Sequence, residues 1–185
     1  MDGAPQNDLT MPRNILLTGP PGSGKTTRLL HTVEALAGIT CCGFVTVEIR
    51  ERGRRVGFSL RGFHGELGLL AHVDRPGTPR VGKYGVAVEE FEAFLDRIDL
   101  HDPSCDLIVI DEIGKMECLS ERFVALVEEV LDAPTPVVAT IARTGGGAIG
   151  RIRSRDDVEI LDVTRATREE CLRDLIGRIR TGLRG

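Results

Sequence analysis

The chain has 185 residues, 41% of them hydrophobic and 28% charged, which fits one globular domain with a sizeable core. A formal net charge of −4 gives no general reason to expect nucleic acid or a membrane surface as partner. The cysteines (Cys41, Cys42, Cys105, Cys118, Cys171) are odd in number and contain no C-x-x-C pair, so neither a disulfide framework nor a zinc site is indicated, and no apolar run approaches the roughly 18 residues of a membrane span.

The first thirteen residues, MDGAPQNDLTMPR, are polar, resemble no signal peptide and are expected to be disordered, which leaves 14–185 as a single cytoplasmic domain. Asn14 to Thr18 (NILLT) is expected as a short strand that runs into glycines and prolines. Leu29, Leu30, Val33, Leu36 and Ala37 then share one helical face, and Gly38 is placed to stop that helix. Gly43 to Val47 reads as a second strand, and the alternation after Gly53 suggests a β-hairpin from about Thr46 to Gly62. Gly65 to Pro79 is glycine-rich and poorly periodic, and is expected as a surface excursion. Tyr84 to Val88 reads as a short strand, and the whole insert spans about 46–88.

Phe91, Phe94, Leu95 and Ile98 lie on one face of a further helix, and Leu107 to Ile110 is the continuous apolar run of a strand buried on both sides. Phe123, Val127, Val130 and Leu131 mark another helix, Pro136 to Ile141 another strand, and Thr144 to Gly150 (TGGGAIG) a flexible loop by composition. Val158 to Val163 is the last strand. Thr167 with Glu170 forms a capping box for a final helix whose core face is Leu172, Leu175, Ile176 and Ile179. Strands alternating with amphipathic helices imply an α/β fold: three layers around a mostly parallel central sheet, with a β-hairpin insertion.

The first strand leads into Gly19-Pro20-Pro21-Gly22-Ser23-Gly24-Lys25-Thr26, a full match to G-x-x-x-x-G-K-[ST], set between a predicted strand and a predicted helix. Glycines let backbone N–H groups curl around an anion, and the following helix presents its positive end to it. In such a P-loop, Lys25 reaches the β- and γ-phosphates and the Thr26 hydroxyl ligates Mg²⁺.

Two acids, Asp111 and Glu112, follow the apolar run directly. In a P-loop domain a parallel strand beside the first one ends near the metal, so Asp111 is expected to hold Mg²⁺ and Glu112 to polarise the attacking water as general base. The alternative for Glu112 is a surface acid paired with Lys115. Adjacent acids tilt the choice toward hydrolysis, since a kinase gains nothing from activating water.

These residues resemble the thermophilic or cancer-related family of small P-loop nucleoside-triphosphatases. The likeness rests on "LTGPPGSGKTT" (Leu17 to Thr27), "GFVTVEIRERGRRVGF" (Gly43 to Phe58), "VGKYGV" (Val81 to Val86), "IDEIGKME" (Ile110 to Glu117) and "DVTRATR" (Asp162 to Arg168). It implies slow, Mg²⁺-dependent hydrolysis of ATP, GTP, CTP and UTP to diphosphate and phosphate, with loose base selectivity. The nucleotide-binding set is Gly19, Pro20, Pro21, Gly22, Ser23, Gly24, Lys25, Thr26 and Thr27 with the strand Leu107, Ile108, Val109, Ile110, Asp111 and Glu112; within it Glu112 and Lys25 are the catalytic pair, and Thr26 and Asp111 the metal pair. Val47 stands where the family has a second acid, Thr167 replaces an expected Asn, and Ala139 a common Gly, which bears on base preference.

Lys115 either stabilises γ-phosphate charge or neutralises Glu112 and Glu117. Arg143 and Arg168 are supporting candidates for a charge-compensating arginine, set against a solvated role. Arg50 and Arg55 are candidate contacts to phosphates or a partner, Tyr84 is expected to pack, and the four histidines show no metal-ligand spacing. Two other functions stay open: a small-molecule or nucleotide kinase, and a nucleotide-dependent switch or assembly module. The sequence lacks the [NT]-K-x-D motif of a guanine-specific GTPase, and an acidic, short chain with one site argues against a nucleic-acid motor.

Overall fold

The computed structural model describes residues 13–36, 38–76, 79–164, 176–177 and 179–180. One nine-stranded sheet organises the chain. Its strands are β1 (Asn14–Thr18), β2 (Cys41–Glu51), β3 (Arg54–Gly62), β4 (Leu67–His72), β5 (Arg80–Val81), β6 (Tyr84–Val86), β7 (Leu107–Ile113), β8 (Val137–Ile141) and β9 (Val158–Asp162), in the order β5-β6-β4-β3-β2-β7-β8-β1-β9. The five strands from β2 to β9 run parallel, and β3, β4, β6 and β5 extend the sheet antiparallel. Helices α1 (Lys25–Ala35), α2 (Val88–Leu95), α3 (Glu121–Asp132) and α4 (Gly147–Arg153) complete the α/β architecture.

Strand β7 shows why its run is apolar without a break. Ile108 and Ile110 enter a core with Phe44, Phe91, Phe94 and Phe123, whereas Leu107 and Val109 enter a second core with Ile15, Leu17 and Leu29 of β1 and α1. Successive side chains point to opposite faces, so a strand covered on both sides has no place for polar residues. The first core is built on edge-to-face rings, with Phe44 centroids 5.6 Å from Phe94 and 6.0 Å from Phe91. Ser120 caps α3 by accepting from the Phe123 N–H at 3.0 Å, and it donates to Glu92 of α2 at 2.7 Å. Gly43 lies so close to β7 that a Cβ there would sit 2.0 Å from the Val109 carbonyl oxygen.

Four expectations are corrected. The acid-bearing strand does not lie beside β1: β8 is inserted between β1 and β7. The stretch expected as a surface excursion contains β4, whose Leu70 and Ala71 are buried against the aromatic core. β3 supplies its backbone partner and Phe94 packs over Gly68, so tertiary contact makes a strand where local pattern is weak. The glycine-rich loop becomes α4 from Gly147, held by Ile149 and Ile152, which are buried in that core. The hairpin is also longer than expected, because β2 starts at Cys41, pairs with β7 as far as Val45↔Asp111, and continues as the hairpin's first arm. The capping box at Thr167 and most of the final helix lie outside the described residues, of which 176, 177, 179 and 180 are helical with Ile179 buried.

Candidate functional site

The P-loop is shaped by backbone conformations that side chains resist. Gly22 has φ 73° and Gly24, the N-cap of α1, φ 85°; neither end of this turn accommodates a β-carbon without strain. Gly19 is excluded from substitution by space, since a Cβ would sit 2.5 Å from the Val163 carbonyl oxygen. Ser23 N–H donates to the Pro20 carbonyl at 3.1 Å. The buried Arg28 guanidinium donates to the carbonyls of Ser23 at 3.1 Å and Gly24 at 2.7 Å, gathering loop carbonyls on the helix side. No side chain caps α1, so its positive end is left to the loop. The Lys25 ammonium donates to the Gly19 carbonyl at 3.2 Å, and Pro20, Pro21, Gly22 and Thr27 are exposed.

Asp111 is 1% exposed at the end of β7. The Thr140 hydroxyl on β8 donates to its Oδ1, and the Thr46 hydroxyl donates to its backbone oxygen at 2.6 Å. Burial pushes the Asp111 carboxyl up from its ordinary range, while Thr140, Thr26 and the charge of Lys25 pull it back. The expected metal pair, Thr26 at the start of α1 and Asp111 on β7, is therefore close enough to interact although β1, which leads into the loop, and β7 are not neighbours.

Glu112 is half-buried, and the peptide bond joining it to Asp111 is cis. Burial raises its carboxyl, the Lys25 charge opposes that rise, and Asp111 adds to it. A carboxylate held back from ionisation, beside a lysine and opposite a phosphate loop, has the properties of a general base. Lys115 is exposed and makes no ion pair with Glu112 or Glu117. Leu107, Ile108, Val109 and Ile110 are spent on the two cores and position Asp111 rather than line the loop.

Glu117, placed in a short 3-10 turn after β7, is 5% exposed, and its carboxyl is pushed up to about 8, mainly by burial. Gly114 permits its approach: a Cβ there would lie 2.8 Å from Glu117 Oε2 and 2.9 Å from Glu112 Oε1. Its signal was present in "IDEIGKME". Thr46 and Thr140 carried none, since only the sheet register brings their hydroxyls to Asp111.

The arginines separate. Arg143 is exposed, and Arg168 lies outside the described residues. Arg55 is engaged with Glu48 at 2.8 Å and the Tyr84 hydroxyl at 3.0 Å, and Arg50 pairs with the same Glu48. Tyr84 is buried, as packing required. Arg153 reaches the strand ends instead.

Oxygen donors dominate the site, as a hard cation prefers. Among the described residues no three His, Cys, Asp or Glu side chains are grouped to hold a metal by themselves. Thr26 and Asp111 would offer the one or two protein oxygens that Mg²⁺ takes, its shell being completed by water and substrate phosphates.

The family model described as NTPase matches residues 14–176. Nucleoside-triphosphatase THEP1 of Thermotoga sp. (strain RQ2) is 40% identical over 163 residues, 88% of this chain and 92% of that protein. The cancer-related nucleoside-triphosphatase of Homo sapiens is 37% identical over 183 residues, covering 90% and 96%. The crystal structure of THEP1 from the hyperthermophile Aquifex aeolicus superposes with a TM-score of 0.78 at 32% identity, over 90% of this chain and 98% of that one.

Proposed function

Since the chain belongs to the NTPase family and is a nucleoside-triphosphatase, we propose that it splits nucleoside triphosphates to diphosphate and phosphate with Mg²⁺, slowly, using Glu112 as the base. One observation carries this reading: a half-buried Glu112 and a buried Asp111 on β7 lie within the influence of the P-loop lysine across the intervening β8. The loop N–H groups, the α1 N-terminus and Lys25 bind the phosphates. Thr26 and Asp111 would hold Mg²⁺, which when bound neutralises charge on the β- and γ-phosphate oxygens.

Glu112 takes the proton of a water whose oxygen forms a bond to the γ-phosphorus. The bond from that phosphorus to its bridging oxygen breaks, and the electron pair leaves with the diphosphate. Only ionised Glu112 can take the proton, so its raised carboxyl sets the acid limb of activity. Every contact in this scheme is to phosphate, which supports use of ATP, GTP, CTP and UTP alike. The free thiols Cys41, Cys42, Cys105 and Cys118 fit a reducing cytoplasm, and no helix among the described residues is long and apolar enough to cross a membrane.

The test is phosphate release from the four triphosphates with Mg²⁺ and no acceptor, beside Glu112→Gln. Turnover of several nucleotides is expected, with the variant down by about 100-fold or more while still binding nucleotide. A wild type that binds nucleotide and releases no phosphate overturns the hydrolase reading in favour of an acceptor-dependent kinase.

A further inference from the structure

The turn between β8 and α4 places two arginines of one short helix in different settings. Ile149 and Ile152, 4% and 1% exposed, fix the rotation of α4 against the core. Arg151 then points outward and pairs with Glu128 at 2.9 Å. Arg153 turns to the C-terminal ends of β1 and β8, where its Nη1 donates to the Thr18 hydroxyl and to the Ala142 carbonyl, each at 3.3 Å. Thr18 is the last residue before the P-loop, and Ala142 the first after the strand that separates the loop from Asp111. The Lys25 ammonium holds the next residue, Gly19, so two cations bracket the root of the loop.

Arg153 is half-buried yet among the described residues has no carboxylate partner, whereas Arg50, Arg55, Arg75, Arg122, Arg151 and Arg155 all do. Both of its acceptors are neutral and both use one nitrogen. Among the described residues its Nε and Nη2 donors are uncommitted. A partly desolvated guanidinium with free donors is costly unless an anion completes it, and its planar fork suits phosphate oxygens.

We propose that Arg153 is a phosphate-binding arginine supplied in cis, which recognises the γ-phosphate and stabilises its charge as the terminal bond breaks. This rests on the phosphohydrolase reading. The glycine that opens α4, Gly147 at φ 58°, lets the chain reverse tightly enough to return the arginine to the strand ends.

The experiment has two arms on the full chain. One measures binding of ADP and of non-hydrolysable AMP-PNP with Mg²⁺, the other phosphate release from ATP, for wild type, Arg153→Ala, Arg151→Ala and Arg143→Ala. Arg153→Ala is expected to keep ADP affinity, to lose about tenfold or more of the AMP-PNP over ADP preference, and to lose about 100-fold or more in kcat. Arg151→Ala stays at wild type. An unchanged preference in Arg153→Ala overturns the proposal, as does an equal loss for both nucleotides, which marks a structural role, or the same loss in Arg143→Ala instead. If Arg153→Ala does not fold, Arg153→Lys is judged by the same ratio, since one ammonium cannot replace the fork; an unchanged ratio there also overturns it. A wild type that releases no phosphate refutes the hydrolase reading alone, and the binding ratio still decides for or against Arg153.

Discussion

Glu117→Gln should make the protein more stable in alkaline solution. Burial, with the charges of Glu112 and Asp111 behind it, carries the Glu117 carboxyl from 4.5 to about 8, against the pull of the Glu117 and Gly114 backbone N–H groups. Between those two values the folded chain keeps a proton that the unfolded chain has released. The stability contribution is therefore full below about pH 4.5 and is lost as pH rises through about 8. With no relaxation the loss amounts to about 5 kcal/mol. Water entry and side-chain movement reduce it, so about 2–3 kcal/mol is expected. Glutamine cannot ionise, and its amide oxygen can still accept from the Gly114 N–H. Asp111 and Glu112 are also raised, but they remain in both proteins and largely cancel in the difference. Urea unfolding of both proteins at about pH 4, 7 and 9 gives the readout: the stability of the variant relative to wild type should climb by about 2–3 kcal/mol across the series. A difference that stays constant with pH would refute the protonated, buried state of Glu117.

Thr140→Val removes a buried donor from Asp111 and should cost about 1.5–3 kcal/mol, read as a lower urea midpoint at neutral pH. Gly43→Ala drives a β-carbon to 2.0 Å from the Val109 carbonyl and should cost about 3 kcal/mol or more, read as a large fall in Tm or loss of soluble protein. Ser120→Ala removes the α3 cap and the tie to Glu92 and should lower stability by about 1–2 kcal/mol with nucleotide affinity unchanged, as denaturant titration and nucleotide titration together would show.

The parts of this molecule legible in its sequence are those set by local pattern. Asn14–Thr18, the P-loop, and the helices carrying Phe91 and Phe123 were visible because apolar spacing and glycine punctuation both pointed one way. β4 was not, because Leu67-Gly68-Leu69-Leu70-Ala71 neither alternates nor carries β-branched residues, and β3 and Phe94 make it a strand. α4 was hidden by its glycines, since its stability comes from burying Ile149 and Ile152 and not from helix propensity. At the site, Asp111 and Glu112 stood out as acids after an apolar run. Their supports did not, because a threonine such as Thr140 or an arginine such as Arg153 gains its position only from strand order. That order is a matter of long-range pairing, on which the neighbours in sequence are silent.

The strand order also governs when the protein can come into being. Of the described strands β1 is made first, yet its two partners are β8 and β9, drawn from residues 137–141 and 158–162. A nascent chain leaving the ribosome can lay down β2 to β7 while the phosphate loop hangs from an unpaired strand. Lys25 and Asp111 have no common frame until β8 slides between their strands. A chain cut short before Val137 would retain both motifs and possess no assembled site. Activity in this architecture is therefore a late acquisition of synthesis, which spares the half-made chain any commitment to nucleotide.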